Sequence, residues 1–367
     1  MKFEKIIIIA QQETLRERPR VRKFGHILQS LDQPFEIWKV GPPDETTAEG
    51  MQVRNLMTNE MRQHSPLVRY MMWMLKVFVA ALGERKNRAF LAVGFDSAFA
   101  LSWIPFRSRP FMFDNVDNIA MSYRMPSVLK ATFTSLERWI SYRARIHSIP
   151  SQDRLVYGGE NIRVVINTPS RSAMEAAKNL AATKNYSRRG SVFTIYVNGW
   201  LSSTRGLGTL LRACKILEER NVEIKIIVAG RLACPDADTL VTLPNVEYFG
   251  MLTNEEALAH YYQSNLAFIF YDPCVQINLL AESQKWTDCW ATGTAFVSNQ
   301  EILTLAKFTR EKACYALPYE DAGQLADLIE RLVKKPASTQ EVSDRLCSMN
   351  FRFWDDEMRK VVLEWTH

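Results

Sequence analysis

One short segment in the second half of the chain combines a hydroxyl, a cation and a carboxylate at helical spacing. Its polar residues are Ser283, Lys285 and Asp288, and it lies between apolar runs. Lys285 and Asp288 are three positions apart, which places both on one face of a helix. A lysine at the start of a helix adds its charge to the free N–H groups and to the helix dipole. The segment therefore predicts a phosphate contact for Lys285, with a solvated lysine as the alternative.

Two arginines follow strand-like runs at turns that contain glycine. Arg205 lies in the loop between Gly199 and Gly206, and Arg231 follows Gly230 directly. Ligands of parallel α/β sheets bind outside the carboxyl ends of the strands. Both arginines are therefore candidates for binding an anion, and the alternative for each is a loop residue in solvent.

Three carboxylates in the first half are candidates for a general base. Asp114 and Asp117 follow the strand-like run 110–113, and Asp96 follows another run that ends at Gly94. A carboxylate can take a proton from a hydroxyl group that lies within hydrogen-bonding distance. Each of the three is also typical of an Asx turn or a helix cap, and both interpretations stay open.

The elements that must position these residues alternate between strand and helix. Strand-like runs of the second half cover residues 193–197, 224–229, 245–250, 265–271 and 294–298. Those of the first half cover residues 6–10, 35–40, 89–93, 110–113 and 163–169. This alternation predicts parallel βαβ units and an α/β fold. The polar stretches 44–61 and 170–190 are predicted to be connections.

Length and composition exclude several classes of protein. A chain of 367 residues exceeds one comfortable core and predicts two domains. The apolar runs fall far below the roughly 20 residues of a membrane span, and the run 6–10 is too short for a secretory signal. We therefore expect a cytoplasmic protein. The six cysteines form no CxxC pair and the five histidines are scattered, so no metal and no cofactor are predicted.

The charge is concentrated in the first half. Residues 1–170 hold 24 Lys and Arg against 16 Asp and Glu, a net of +8, whereas the rest hold 22 against 24, a net of −2. This asymmetry predicts an anionic partner for the first domain. Nucleic acid is one candidate, and an anionic lipid surface or a phosphate-bearing acceptor is the other. A basic cluster could contribute to such binding: Arg16, Arg18, Arg20, Arg22 and Lys23.

The segment 66–82 is helical and rich in large apolar residues with basic flanks. Two interpretations are open. The segment packs into the core of the first domain, or it lies on a cytoplasmic leaflet with its apolar side inserted and its basic residues near lipid phosphates.

The order of motifs in the second half resembles the donor-binding domain of GT-B-fold glycosyltransferases, especially family 4. That family has a Gly-Arg-Leu, four-residue, Lys-Gly loop, which corresponds to residues 199–206 here. Arg205 takes the place of the lysine and keeps a cation for the diphosphate, whereas Trp200 replaces the arginine. A second family segment matches residues 245–250, after which Met251 would cover the nucleobase.

The acidic signature of the family is only partly present. Aligning its closing glycine with Gly293 places Asp288 at the second acid, which holds the ribose hydroxyls, and Leu280 at the first. The segment Ser283-Gln284-Lys285 resembles the variant in xanthan-type glucuronosyltransferases, in which the lysine neutralises the nucleotide diphosphate. Because the first acid is absent, retention versus inversion of the anomeric configuration stays undecided.

The resemblance implies an α/β GT-B fold, with two Rossmann-like domains facing across a cleft. Residues 1–170 would bind the acceptor, residues 190–350 would bind the donor, and the helix 354–367 would pack back on the first domain. Asn278 would face the transferred sugar, and Asp117 occupies a place where relatives often carry an acid or a histidine. Gly199, Arg231 and Ser283 complete the expected donor contacts.

The function that this resemblance implies is transfer of a sugar from a nucleotide-diphosphate sugar, with UDP favoured. The acceptor would be a lipid-linked saccharide or a polysaccharide in cell-surface polysaccharide synthesis, which favours an anionic membrane surface over nucleic acid as a partner. The enzyme would then lie peripherally on the inner face of the plasma membrane. Two alternatives remain: a sugar-nucleotide epimerase on the same fold, and a catalytically silent protein that binds a nucleotide sugar.

Overall fold

The structure is a computed structural model. It describes residues 3–11, 19–41, 50–58, 63–85, 87–104, 110–123, 125–155, 157–187 and 192–366. The chain divides into two compact units. Unit 1 comprises Met1–Ile166 and Asp355–His367, and unit 2 comprises Asn167–Trp354.

Unit 1 contains a parallel sheet with helices between its strands. The strands are β1 Lys5–Ala10, β2 Phe35–Val40, β3 Val53–Met57, β4 Arg88–Val93, β5 Phe111–Asp114, β6 Ile146–Ile149 and β7 Ile162–Val164. The helices are α1 Pro19–Ser30, α2 Pro66–Gly83, α3 Phe95–Ser102, α4 Ile119–Ser122 and α5 Ser127–Arg143. The strand order is β3-β2-β1-β4-β5-β6-β7. β1 is a continuous run of buried isoleucines, as expected for a central strand that is covered on both faces.

Unit 2 repeats this plan. Its strands are β8 Phe193–Leu201, β9 Ile224–Leu232, β10 Val246–Tyr248, β11 Leu266–Ile269, β12 Ala295–Asn299 and β13 Tyr315–Leu317. Its helices are α6 Arg171–Thr183, α7 Leu207–Glu219, α8 Pro235–Leu240, α9 Asn254–Tyr261, α10 Gln276–Leu279, α11 Gln284–Thr292, α12 Ala306–Arg310, α13 Ala322–Lys334 and α14 Ala337–Ser348. The strands are parallel in the order β10-β9-β8-β11-β12-β13. The α/β prediction is therefore confirmed.

The last helix, α15 Trp354–Thr366, begins at the end of unit 2 and continues as part of unit 1. Its apolar face is buried, and Trp365 packs its ring 5.8 Å from the ring of Phe3. The carboxylate of Glu364 pairs with Arg163 just before the boundary between the units. No helix within the described ranges is long and apolar enough to cross a membrane.

Two of the predicted connections are wrong in part. The stretch 170–190 contains α6, because small apolar residues recur on one helical face and pack into the core of unit 2: Ala173, Met174, Ala177 and Ala181. The stretch 44–61 contains β3, a short strand at the edge of the sheet; residues 44–49 and 59–61 lie outside the described residues. β8 and β9 also continue beyond the glycines that were predicted to end them.

The position of Gly230 on β9, beside Gly199 on β8, leads to a testable prediction about the stability of unit 2. Its φ is +131°, and a Cβ would lie 1.9 Å from the carbonyl oxygen of Gly199. We expect Gly230→Ala to lower the free energy of unfolding by about 3 kcal/mol or more, because strain and overpacking add. Gly250→Ala is the matched control, since its φ is +67° but its Cβ would meet nothing within 4 Å. Urea denaturation of both variants measures the difference, and equal losses would contradict the steric explanation.

Candidate functional site

The strand order of unit 2 reverses its direction between β8 and β11. Open α/β sheets bind ligands outside the carboxyl ends of strands at such a point. Gly199 lies near the end of β8, and Tyr271 follows the end of β11 by two residues. The candidate site of unit 2 therefore lies at this edge.

Gly199 leaves space for Lys285. Its φ of +97° falls in the region that favours glycine. A Cβ at this position would lie 3.1 Å from Cε and 3.5 Å from Nζ of Lys285. Because Lys285 is in the first turn of α11, its ammonium group and the N-terminus of that helix lie beside the carboxyl end of β8.

Two cations lie close to the ring of Tyr271. The guanidinium carbon of Arg205 lies 4.4 Å from the ring centroid, and Nζ of Lys285 lies 5.4 Å from it. Lys285 donates to the phenol oxygen at 3.4 Å, and the phenol donates to Oγ of Ser283 at 2.6 Å. Burial raises the pKa of Tyr271, but the charges of Lys285 and Arg205 and the hydrogen bonds of the phenol oxygen together outweigh it, so that the pKa is lowered overall.

Neither cation has a carboxylate partner among the residues that the structure describes. Arg205 donates instead to an amide, since its Nη1 lies 3.5 Å from Oδ1 of Asn278. Asn278 is itself buried and fixed by donating from Nδ2 to the carbonyl of Asp272 at 2.9 Å. Two adjacent positive charges without a counter-ion favour the binding of an anion.

Asp288 lies one turn after Lys285 on α11 and is buried. It lies near two buried tyrosines, whose pKa values are raised chiefly by burial, with the charge of Asp288 among the smaller causes that add to it: Tyr196 and Tyr261. Tyr261 donates to Oδ1 of Asn198 at 3.3 Å, which places this group beside the end of β8. A ribose contact by Asp288 stays a prediction.

Arg231, on β9, and Met251, after the end of β10, are exposed on the side of β8 opposite to β11. Arg231 is in register with Trp200 across β9 and β8, and both side chains are exposed. Met251 follows Gly250, whose carbonyl accepts from the Gly230 N–H at 2.7 Å. Their roles as donor contacts stay predictions.

The structure gives the three predicted carboxylates of unit 1 different environments. Asp114 is fully buried, and its oxygens accept from Nε and Nη2 of Arg20 at 2.6 and 2.7 Å and from the Ser148 hydroxyl at 2.7 Å. Asp96 is half-buried in the first turn of α3. Asp117, in contrast, is 67% exposed, with Nη1 of Arg154 at 3.2 Å from its Oδ1. Of the three, Asp117 is the most exposed.

The Arg20 contact also bears on the basic cluster that was a candidate for binding phosphate or lipid headgroups. The guanidinium of Arg20 is committed to Asp114, and Lys23 is buried. Arg16 and Arg18 lie outside the described residues. Two of the five basic residues, Arg20 and Lys23, are therefore largely withdrawn from solvent inside unit 1.

Sequence analysis missed a buried acid, Glu137 on α5. Its Oε1 accepts from Nδ2 of Asn115 and Nδ2 of Asn118, each at 2.9 Å, and from the Tyr157 hydroxyl at 3.2 Å. Burial raises the pKa of Glu137 to about 7, although these hydrogen bonds act in the opposite direction. The available signal was a carboxylate on the face of α5 that also carries the buried Ile140.

The described residues contain no group of three or more His, Cys, Asp or Glu side chains arranged to hold a metal ion. The prediction that no metal takes part therefore stays a prediction.

Comparisons with solved structures cover nearly the whole chain. A sucrose-phosphate synthase from Thermosynechococcus elongatus is 14% identical, with a TM-score of 0.67 and coverage of 98% of both chains. A glycosyltransferase from Rickettsia africae is 13% identical, with a TM-score of 0.65 over 99% of this chain and 98% of that one. A UDP-N-acetylglucosamine 2-epimerase is 12% identical, with a TM-score of 0.63 over 99% and 95%.

The chain has the GT-B fold. No protein-family model matches it, and no curated protein matches it in sequence. At these low identities the likeness concerns the fold alone. What the GT-B site of this chain binds must therefore be argued from its own residues.

Proposed function

We propose that this chain is a glycosyltransferase that uses a nucleotide-diphosphate sugar as its donor. The observation that carries the proposal is the pair of cations, Arg205 and Lys285, which meet at Tyr271 without a carboxylate partner in the described part of unit 2. A diphosphate supplies the missing negative charge. The position at the switch point of a GT-B fold supports the same ligand.

The chemistry that this site offers is stabilisation of the leaving group. Negative charge grows on the diphosphate as the bond to the sugar breaks, and fixed cations lower the energy of that state. Lys285 and the N-terminus of α11 act together here, and Arg205 acts from the loop after β8. The phenol of Tyr271 holds Lys285 in place through its hydrogen bond. UDP is the favoured nucleotide, from the resemblance to the glucuronosyltransferases.

Asp117 is the group that we assign as the base for the acceptor hydroxyl. It is exposed, whereas both oxygens of Asp114 are occupied by Arg20 and Ser148. A base must lie within reach of the proton that it abstracts, and an exposed carboxylate is easier for an acceptor to approach than a buried one whose oxygens are occupied. Asp96 is the second candidate for this base.

A membrane surface is the proposed location of the acceptor, and α2 supports it. One face of α2 contacts the core through Trp73 and Val77, and the other carries an exposed apolar stripe at helical spacing: Leu67, Met71, Leu75, Val79 and Leu82. The helix holds Arg69 and Lys76 but no acidic residue. Such a surface complements anionic lipid, into which the apolar side chains insert. A lipid-linked saccharide for a cell-surface polysaccharide would lie on the same surface, with the enzyme peripheral to it.

An epimerase that acts on a sugar nucleotide is the second candidate, because one structure of similar fold is a UDP-N-acetylglucosamine 2-epimerase. A protein that binds the nucleotide sugar without catalysis is the third. Incubation with radiolabelled nucleotide sugars and lipid extract separates the three. A labelled lipid indicates transfer, a changed sugar nucleotide indicates epimerisation, and binding without turnover indicates the silent protein.

The donor assignment predicts that Lys285→Ala weakens binding of UDP or of the cognate UDP-sugar by about 1.5–3 kcal/mol, the scale of a charge-assisted hydrogen bond. Isothermal titration calorimetry measures the change. Lys178→Ala, on the exposed face of α6, removes an equal charge from the same unit and should leave the affinity unaltered. Equal affinities of the wild type and the Lys285 variant would remove Lys285 from the site.

The base assignment predicts that Asp117→Asn reduces kcat by about 10²–10⁴-fold, because proton abstraction is lost. Donor affinity should stay unchanged, since the predicted donor contacts lie in unit 2. Asp153→Asn, an exposed carboxylate of the same unit, is the control for charge. A wild-type rate in the Asp117 variant would direct the search to Asp96.

The membrane proposal predicts that Leu75→Ser lowers binding to anionic liposomes by about tenfold to a hundredfold, because burial of one leucine contributes on the order of 1.5–3 kcal/mol. Leu303→Ser is the matched control, since Leu303 is 66% exposed and Leu75 61%. Sedimentation with liposomes should also show weaker binding as salt screens the surface charge. If both serine variants bind as the wild type does, the stripe on α2 is not a lipid contact.

A further inference from the structure

A single buried carboxylate holds the loop that follows β5. Glu137 accepts from Asn115 and Asn118 with one oxygen, and these two asparagines bracket Val116 and Asp117 in the chain. Asn118 also caps α4, because its Oδ1 accepts from the backbone N–H of Met121 at 3.1 Å. Both ends of the loop are therefore fixed to α5 through the same atom.

The middle of the loop is held by Arg154. Its Nη1 donates to the carbonyl of Val116 at 2.5 Å and to Oδ1 of Asp117 at 3.2 Å. The backbone of Asn115 donates to the carbonyl of Ser148 at 2.9 Å. The result is an exposed carboxylate, Asp117, on a short loop whose neighbouring positions are anchored. Fixed geometry of this kind is what a reacting group requires.

The anchor is costly for unit 1. A buried carboxylate loses hydration, and an apolar side chain of similar size would avoid that loss. The titratable groups beside Glu137 do not neutralise it. Burial raises the pKa of Tyr157, with the charge of Glu137 adding to it, and burial lowers the pKa of His147, whose ring stacks on that of Tyr157 at 6.3 Å, to about 4. The structural effect of the buried Glu137 is to fix the positions of Asn115 and Asn118.

We propose that Glu137 is a positioning residue for Asp117, acting through Asn115 and Asn118. The inference rests on the proposed function, in that it takes Asp117 as the base. Glu137 itself touches no substrate, because it is fully buried. Its ionised form accepts the amide hydrogen bonds more strongly than its neutral form does, so the loop should be held most firmly above neutral pH.

Three variants test this role against Arg138→Gln, a control on the exposed face of α5. Glu137→Met removes the acceptor, Glu137→Gln keeps a neutral acceptor, and Asn115→Ala removes one donor while retaining Glu137. We expect Glu137→Met and Asn115→Ala to lower kcat by about tenfold to a hundredfold with the donor KM unchanged, the effect of a misplaced reacting group. Asn115→Ala carries the test if Glu137→Met does not fold.

The pH profile separates positioning from mere stability. In the wild type, kcat should rise as Glu137 ionises near pH 7, the value to which burial raises its pKa. In Glu137→Gln, kcat should stay near the wild-type value at pH 6 and should not rise with pH. In Arg138→Gln, kcat should rise with pH as it does in the wild type. Wild-type kcat in both Glu137→Met and Asn115→Ala, or the same rise in Glu137→Gln, would overturn the inference.

Hydrogen exchange distinguishes failure of the inference from failure of the proposed function. Amides of the segment 115–122 should exchange at least tenfold faster in Glu137→Met than in Arg138→Gln. This measurement needs no substrate. Unchanged exchange overturns the anchoring by Glu137, whatever the activity is. Faster exchange in a chain whose wild type transfers no sugar overturns the proposed function, and with it the role of the anchor in that reaction.

Discussion

The close approach of two strand ends, at Gly199 and Gly230, is the constraint on which the carboxyl edge of unit 2 depends. β8 and β9 stay paired through these glycines and for two residues beyond them. A side chain at 230 would collide with the backbone of residue 199, and a side chain at 199 would enter the space of Lys285. Because Gly199 on β8 has no side chain, Lys285 has the space to reach Tyr271.

The same arrangement explains why the site favours an anion. Arg205 and Lys285 repel each other, and Tyr271 offsets part of that repulsion through its ring and its phenol oxygen. A neutral phenol cannot offset all of it. The two cations favour the phenolate form and so act to lower the pKa of Tyr271, against the effect of its burial. The remaining positive potential is available to a ligand. A doubly charged group such as a diphosphate fits that requirement better than a neutral sugar does.

The sequence predicts the fold and the position of the cations, because both depend on local patterns. β8, β9 and β11 are apolar runs, and Lys285 lies in the first turn of a helix, so short-range sequence patterns are sufficient. It does not predict β3 or β13, since short edge strands have weak patterns, and it mistakes α6 for a connection because its buried residues are mostly alanines. Glu137 could not be identified as an anchor, because its partners lie 20 residues or so away, at positions 115, 118 and 157.

The proposed donor site lies in the half of the chain that has the lower net charge. In the half with a net of +8, Arg20 is paired with the buried Asp114 and Arg154 with Asp117, so neither cation is available to a ligand, although such pairing leaves the net charge unchanged. The half with a net of −2 nevertheless contains the two cations that lack a counter-ion among the described residues. A ligand responds to the local potential that remains after internal pairing, not to the sum of formal charges. The pairing of each charge decides where an anion binds, and pairing is set by the fold.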